Sequence, residues 1–387
     1  MDLSKEIDEF FYQLEIGNTD FLGDLRHRFR HAEKIAIFGA GHAGRTALKI
    51  FHDAGVRVDF FCDNDEKKWN TWISGIKCIS PFNLPEDIYI VVALDRYKEI
   101  LLQLEGRKNI FVISDLNWFR YQEEMNPFLQ RSLWGSTKEK IESVAEILGD
   151  DISKEVFLTI LKSYSNGTMF HCFWENVRSK DEQYFPKDLF SLGDHEIFVD
   201  CGAYTGDTVK TFLKETGYKF REIHAFEIER ENFELMKNAM RRIPVSGEIF
   251  CYPYGVWSES GKFPIQIPQE MSIETTLLNA VDGKFLRYVE VRAIDELLFG
   301  RDVTFIKMDI EGAELNALRG AMRTIDVCCP KLAISIYHKP EDFFEIPLYI
   351  KSLSKGYKIY FRHYTYLDQD TICYAVPPGW NCNNLRG

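Results

Sequence analysis

Apolar positions in the first third of the chain fall in short runs, Lys34–Phe38, Arg57–Cys62, Ile88–Leu94 and Asn109–Ile113, separated by helix-length segments. That alternation predicts a parallel α/β sheet, preceded by amphipathic helix up to about Arg30. From Trp118 to Leu192 the spacing becomes helical, clearest over Ser136–Leu148 and Ser153–Tyr164 and broken by Gly149-Asp150-Asp151; this predicts a helical bridge or lid. A second alternation runs from Glu196 to Pro377. Its strands are placed at Ile197–Cys201, Glu222–Phe226, Ile249–Tyr254, Thr304–Ile310, Lys331–Tyr337, Tyr357–Tyr364 and Thr371–Val376. The last two are joined only by Thr365–Asp370, too short for a parallel crossover, so they form an antiparallel hairpin. The fold class expected is α/β, two Rossmann-like domains joined by a helical segment, the second a seven-stranded, mostly parallel sheet with an antiparallel edge hairpin. The expected divisions are 1–120, a nucleotide-binding domain, 121–192, the linker or lid, and 193–387.

A length of 387 residues agrees with two or three domains, and 45% hydrophobic with 14% aromatic residues suffices for large cores. The net charge of −12 repels phosphate backbones, which argues against nucleic acid as a partner. Nine cysteines without a C-x-x-C pair argue against a disulfide framework or structural zinc site and suit a reduced, cytoplasmic setting. MDLSKEIDEFFYQ carries acids where an export signal needs basic residues, and the longest apolar run, Ile88 to Leu94, is far too short to span a membrane.

Two glycine loops carry different chemistry. Gly39-Ala40-Gly41-His42-Ala43-Gly44 follows a predicted strand and opens a helix, with Asp63 ending the next strand. Gly39, Gly41 and Gly44 at that spacing permit close approach of a diphosphate to a helix N-terminus, and Asp63 is placed to accept from ribose hydroxyls. A nucleotide or nucleotide-sugar is therefore one reading, resembling the N-terminal domains of some sugar-tailoring enzymes at the level of the fold. Packing that needs the same glycines is the other. The second loop, Val199-Asp200-Cys201-Gly202-Ala203-Tyr204-Thr205-Gly206-Asp207-Thr208, flanks its glycines with acids, which would repel a diphosphate. A ligand with an ammonium group would gain from Asp200, while N–H groups from Gly202 to Gly206 remain for a carboxylate. S-adenosylmethionine brings both groups, and Glu227, ending His224-Ala225-Phe226-Glu227, stands where its ribose would need a carboxylate.

Val199–Thr208, IHAFEIERENFELMKNAM at 223–240, VTFIKMDIEGAELNALRGA at 303–321 and KLAISIYHKPED at 331–342 together resemble the FkbM-type methyltransferases over the C-terminal half of the chain. The resemblance implies S-adenosylmethionine-dependent transfer to a hydroxyl of a sugar or natural product. It makes Asp200, Gly202, Gly206 and Glu227 cofactor-site candidates and puts Asp309, Glu311 and His338 in the remaining motifs. No acid is evident for the adenine.

Alternation in Thr304–Ile310 sets Phe305, Lys307 and Asp309 on one face, so the two charges must find partners or reach the open end of the sheet. His338, with its ordinary pKa near neutrality, is the candidate base or, equally, a histidine at the surface or behind the site; Asp309 orients the acceptor or the sulfonium or serves as the base itself, and Glu311 lines the site while Glu314 caps or pairs on a helix. Asp309, Glu311 and His338 could hold a hard or borderline metal, but without motif spacing no metal is assigned. For the acceptor, a small molecule or glycan, Tyr184-Phe185-Pro186 and Arg362-His363-Tyr364 offer aromatic and cationic groups. Rival readings are an NAD-dependent oxidoreductase centred on the first loop, which lacks a Tyr-x-x-x-Lys pair, and a non-catalytic nucleotide-binding scaffold.

Overall fold

The computed structural model describes residues 3–16, 21–93, 97–112, 136–165, 177–266, 286–353, 356–365 and 369–379. The boundary expected near residue 120 lies outside them. The chain forms two compact units: Met1–Lys138 with Phe157–Arg178 and Thr365–Asp368, and Glu139–Val156 with Ser179–Tyr364 and Gln369–Gly387. The segment expected as a bridge is thus divided between the two. Its described helices, Lys138–Ile147 and Asp151–Ser165, match the two periodic stretches.

In the first unit β1 (Ile35–Phe38), β2 (Phe60–Cys62), β3 (Trp72–Ile73), β4 (Ile76–Ile79), β5 (Tyr89–Val92) and β6 (Ile110–Val112) form one sheet in the order β3-β4-β2-β1-β5-β6. All neighbours are parallel except β3 with β4. That hairpin was not expected from the sequence. It turns on Ser74 and Gly75, both at positive φ (47° and 79°), the conformation a two-residue hairpin loop demands.

The second unit holds β7 (Ile197–Cys201), β8 (Glu222–Phe226), β9 (Glu248–Tyr252), β10 (Gly255–Val256), β11 (Gly261–Gln266), β12 (Leu286–Arg292), β13 (Phe305–Met308), β14 (Lys331–Ser335), β15 (Lys358–His363) and β16 (Thr371–Val376). Seven of these form a sheet in the order β15-β16-β14-β13-β7-β8-β9. Strand β16 runs antiparallel to both β14 and β15, so the expected hairpin occupies one edge with the reversed strand inside it. β7, β13 and β14 are buried at every position, which explains why they are apolar apart from Asp200, Lys307, Lys331 and Ser335. Beneath them Phe198 stacks on Phe212 and Phe305 with centroids 4.4 and 5.0 Å apart. The strands β10-β12-β11 make a small separate sheet. No helix among the described residues is long and apolar enough to cross a membrane.

Candidate functional site

The central strands β7, β8 and β13 deliver their last residues to one end of the sheet, where chain reversals open a crevice. There a cavity of ≈ 340 Å³ is lined by Gly202, Glu227, Asp309 and Glu311 among the sequence candidates, a size suited to a small-molecule ligand. Asp200, Gly206 and His338 lie behind it. Four non-glycine residues with positive φ, Tyr184 (72°), Tyr204 (46°), Glu311 (53°) and Asp370 (62°), all line it. Such conformations cost roughly 1–3 kcal/mol each and collect at functional sites.

The glycine loop fits tightly. Gly202 has φ +79°, and a Cβ there would stand 1.9 Å from the Asp309 carbonyl oxygen, so only glycine lets the loop after β7 lie against the end of β13. Gly206, φ +80°, precedes the helix Asp207–Glu215, and its Cβ would crowd Met240 at 2.8 Å. Glu227 is 7% exposed. Its Oε2 accepts from the Tyr204 N–H at 2.8 Å and its Oε1 from the Glu229 N–H at 2.7 Å. The carboxylate is thereby aimed, with a lone pair on each oxygen left over. Burial outweighs those two bonds and pushes its pKa up to about 7.

Asp200 has a different task from the one expected. In the β7–β13 register it is the direct partner of Lys307, and the two side chains form a buried ion pair, Nζ to Oδ1 3.0 Å. Burial still pushes Asp200 up to about 6, while Asp200 and Asp309 more than offset desolvation at Lys307 and keep it charged. The Lys307 ammonium also donates to the Gly202 carbonyl at 2.8 Å and lies 5.1 Å from the centre of the Tyr184 ring. Asp200 therefore braces the lysine beneath the loop rather than facing the cavity.

Asp309, just past β13, accepts from the Tyr184 hydroxyl at 2.7 Å and from the Tyr337 hydroxyl at 3.0 Å. Burial and the Asp309 charge keep both phenols protonated. Desolvation would raise Asp309, but His338, Lys307 and the Tyr184 hydrogen bond bring it below the usual carboxylate range. His338 lies among three acids: Nε2 is 3.4 Å from Asp309 and 3.5 Å from Glu311, and Nδ1 is 3.0 Å from Glu314. Burial alone would lower its pKa, yet Glu314, then Asp309 and Glu311, push it up to about 10. An imidazole so held carries its proton at neutral pH, and the neutrality argument that marked it as a base no longer applies. Nearby, burial and the Glu314 charge push Asp342 up to about 8.

The Arg362 cluster is a correction. Arg362 is 2% exposed and bonded to Asp150 and Asp188, both at 2.6 Å; His363 bonds Thr371, and Tyr364 bonds Tyr374. These groups lock the β15–β16 edge and offer nothing to an acceptor. Tyr184 does reach the cavity, whereas Phe185 is core. Ile228, Asn232 and Asp370, which were not singled out in the sequence, also line the cavity, as do Tyr254 and Val256 from the segment where no acid for the adenine was evident. Their signal was topological: each follows or flanks a strand of this sheet.

In the first unit, a Cβ on Gly44 would lie 1.7 Å from the Gly39 carbonyl oxygen, and Gly39 has φ +106°. Both glycines serve the helix–strand approach, and Gly41 faces open space. Asp63 accepts from the Ala40 and Asp65 N–H groups and the Lys68 ammonium, at 2.9, 2.8 and 2.8 Å. The carboxylate assigned to a ribose is thus engaged by its own chain.

The seven-stranded order with one reversed strand next to the edge, and a crevice at the ends of β7 and β8, define a methyltransferase fold. Residues 200–359 match the family model of the methyltransferase FkbM domain, so the second unit carries a methyltransferase domain of that family. A crystal structure of an FkbM methyltransferase from Methylobacillus flagellatus KT is similar along nearly the whole length, with 23% identity, TM-score 0.66, and coverage of 97% of this chain and 100% of that one. An rRNA methylase from Streptococcus thermophilus shares 12% identity over 49% of this chain and 90% of its own, with TM-score 0.31. None of the curated proteins matches the chain.

Proposed function

We propose that the second unit transfers a methyl group from S-adenosylmethionine to a hydroxyl of a sugar or similar polyol. The observation that carries this reading is the meeting of Gly202, Glu227 and Asp309 on one cavity at the ends of three adjacent strands. The cofactor supplies an electrophilic methyl on a sulfonium. Glu227, fixed by two backbone N–H groups, suits a ribose diol. Ile228, Tyr254 and Val256 give the apolar and aromatic wall an adenine needs. Gly202 allows close backbone approach, and Lys307 holds the loop by its carbonyl.

Asp309 is the group assigned to the acceptor, with Tyr184 and Tyr337 fixing its orientation; Glu311 lines the same wall, and His338 supports both from behind. Glu227, Glu229, Asp207, Glu311 and Asp370 outnumber Lys307 around the opening, which favours a neutral polyhydroxy acceptor over a phosphorylated one. Positioning is worth much of such a displacement. Calorimetric titration with S-adenosylhomocysteine tests the reading: binding by the wild type, abolished by Gly202→Val, supports it. A folded wild type that binds none would end it. Transfer of labelled methyl to a panel of sugars then identifies the acceptor.

A further inference from the structure

Beside Asp309, the group assigned to the acceptor, the chain gathers a second set of donors. Donor atoms of Asp309, Glu314 and His338 all lie within 4.8 Å of one another. The His338 side chain is only 9% exposed and Glu314 is fully buried, yet neither imidazole nitrogen and not the Glu314 Oε2 has a properly directed hydrogen bond. Buried polar atoms are rarely left so. Glu311 stands 3.5 Å from the His338 Nε2 on the cavity side.

We infer that Asp309, Glu314 and His338 form a binding site for a divalent first-row cation such as Mn²⁺ or Zn²⁺, with Glu311 closing the shell toward the cavity. One imidazole nitrogen with two or three carboxylates is a donor set for such borderline cations. Donors ~2.0–2.2 Å from a metal stand at most about 4.4 Å apart, so shifts of tenths of an ångström close the shell. The Glu314 Oε2, which has no hydrogen-bond partner, and one imidazole nitrogen supply the lone pairs; the cation takes the place of a proton on that nitrogen. Because Asp309 and Glu311 also line the cavity, the open coordination position faces the acceptor. This role rests on the methyltransferase reading. A hydroxyl bound there through its oxygen is acidified, and its O–H bond breaks with the proton passing to water at the partly exposed Glu311.

The test is calorimetric titration of chelator-treated full-length protein with Mn²⁺ and, separately, Zn²⁺, for wild type, His338→Gln and Glu314→Gln, with thermal melting to verify folding and S-adenosylhomocysteine titrated into each form. One cation per chain in the wild type, bound at least tenfold more weakly by both folded variants, is expected. Absence of cation binding by the wild type, or binding unchanged in a folded variant, overturns the inference. Cofactor binding by a wild type that takes no cation removes the metal site and leaves the methyltransferase reading intact. Cation binding without cofactor binding does the reverse.

Discussion

The Lys307 ammonium lies 3.0 Å from the Asp200 carboxylate with side-chain exposures of 2% and 0%, beneath the loop that carries Gly202. Removing one partner leaves the other charge buried and alone, which typically costs about 3–5 kcal/mol, whereas removing both costs far less. Urea unfolding should therefore show Lys307→Met strongly destabilised and the Asp200→Asn/Lys307→Met double variant partly restored. A double variant no more stable than Lys307→Met would mean that the charge pair is not what the lysine contributes.

Gly202 is the position where one methyl group does the most damage to the site. The φ of +79° and the 1.9 Å approach to the Asp309 carbonyl oxygen mean that Gly202→Ala must move the loop or the end of β13. We expect a loss of more than ~1 kcal/mol in stability and at least tenfold weaker binding of S-adenosylhomocysteine. Gly41→Ala, facing open space, should leave that binding unchanged. Parallel titrations of the two variants check both statements.

How far the site was legible follows from where its parts lie in the chain. Gly202, Glu227, Asp309 and Glu311, which line one cavity, sit in local strand-to-turn motifs, and it was the spacing of those motifs together with their resemblance to the FkbM-type methyltransferases that marked them as candidates. The large sheet was legible because strands covered on both faces read as apolar runs with few polar breaks. In β12, Val289 and Val291 are buried while Tyr288 and Glu290 are exposed; that alternation marks a one-faced strand, a pattern not sought among the buried runs. Asp200 was misread because its partner, Lys307, is set by strand register, which spacing cannot supply. The carboxylates around His338 lie within six residues, Asp309 and Glu311 after β13 and Glu314 at the start of the next helix; what the linear sequence does not give is the pairing of β13 with β14 that sets His338 among all three.

The two phenols on Asp309 are separable from cofactor binding. Tyr184 and Tyr337 donate to its two oxygens at 2.7 and 3.0 Å, and hydrogen bonds to charged groups are worth about 1.5–3 kcal/mol. Tyr337→Phe should lower the methyl-transfer rate by roughly tenfold or more while S-adenosylhomocysteine binds as before, since Tyr337 does not line the cavity. Tyr184→Phe should act similarly on rate. Equal loss of rate and cofactor affinity in Tyr337→Phe would show that Asp309 serves the cofactor rather than the acceptor.

Glu227 gives the site its pH dependence. Its folded pKa of about 7 stands above the ordinary carboxylate value of 4.5, so the protonated form is favoured by folding. The sign follows: its contribution to stability is intact below pH 4.5 and is lost as pH rises through 7. The full loss is at most about 3 kcal/mol. Glu227→Gln should accordingly be no less stable than the wild type at pH 8, in urea unfolding. Ligand binding runs the other way, because a ribose diol donates to the ionised carboxylate. Affinity for S-adenosylhomocysteine should fall as pH drops below about 7, approaching tenfold per pH unit for one linked proton. In Glu227→Gln it should be weaker throughout and nearly flat between pH 6 and 8. A wild-type affinity that is itself flat across that range would remove Glu227 from the cofactor site.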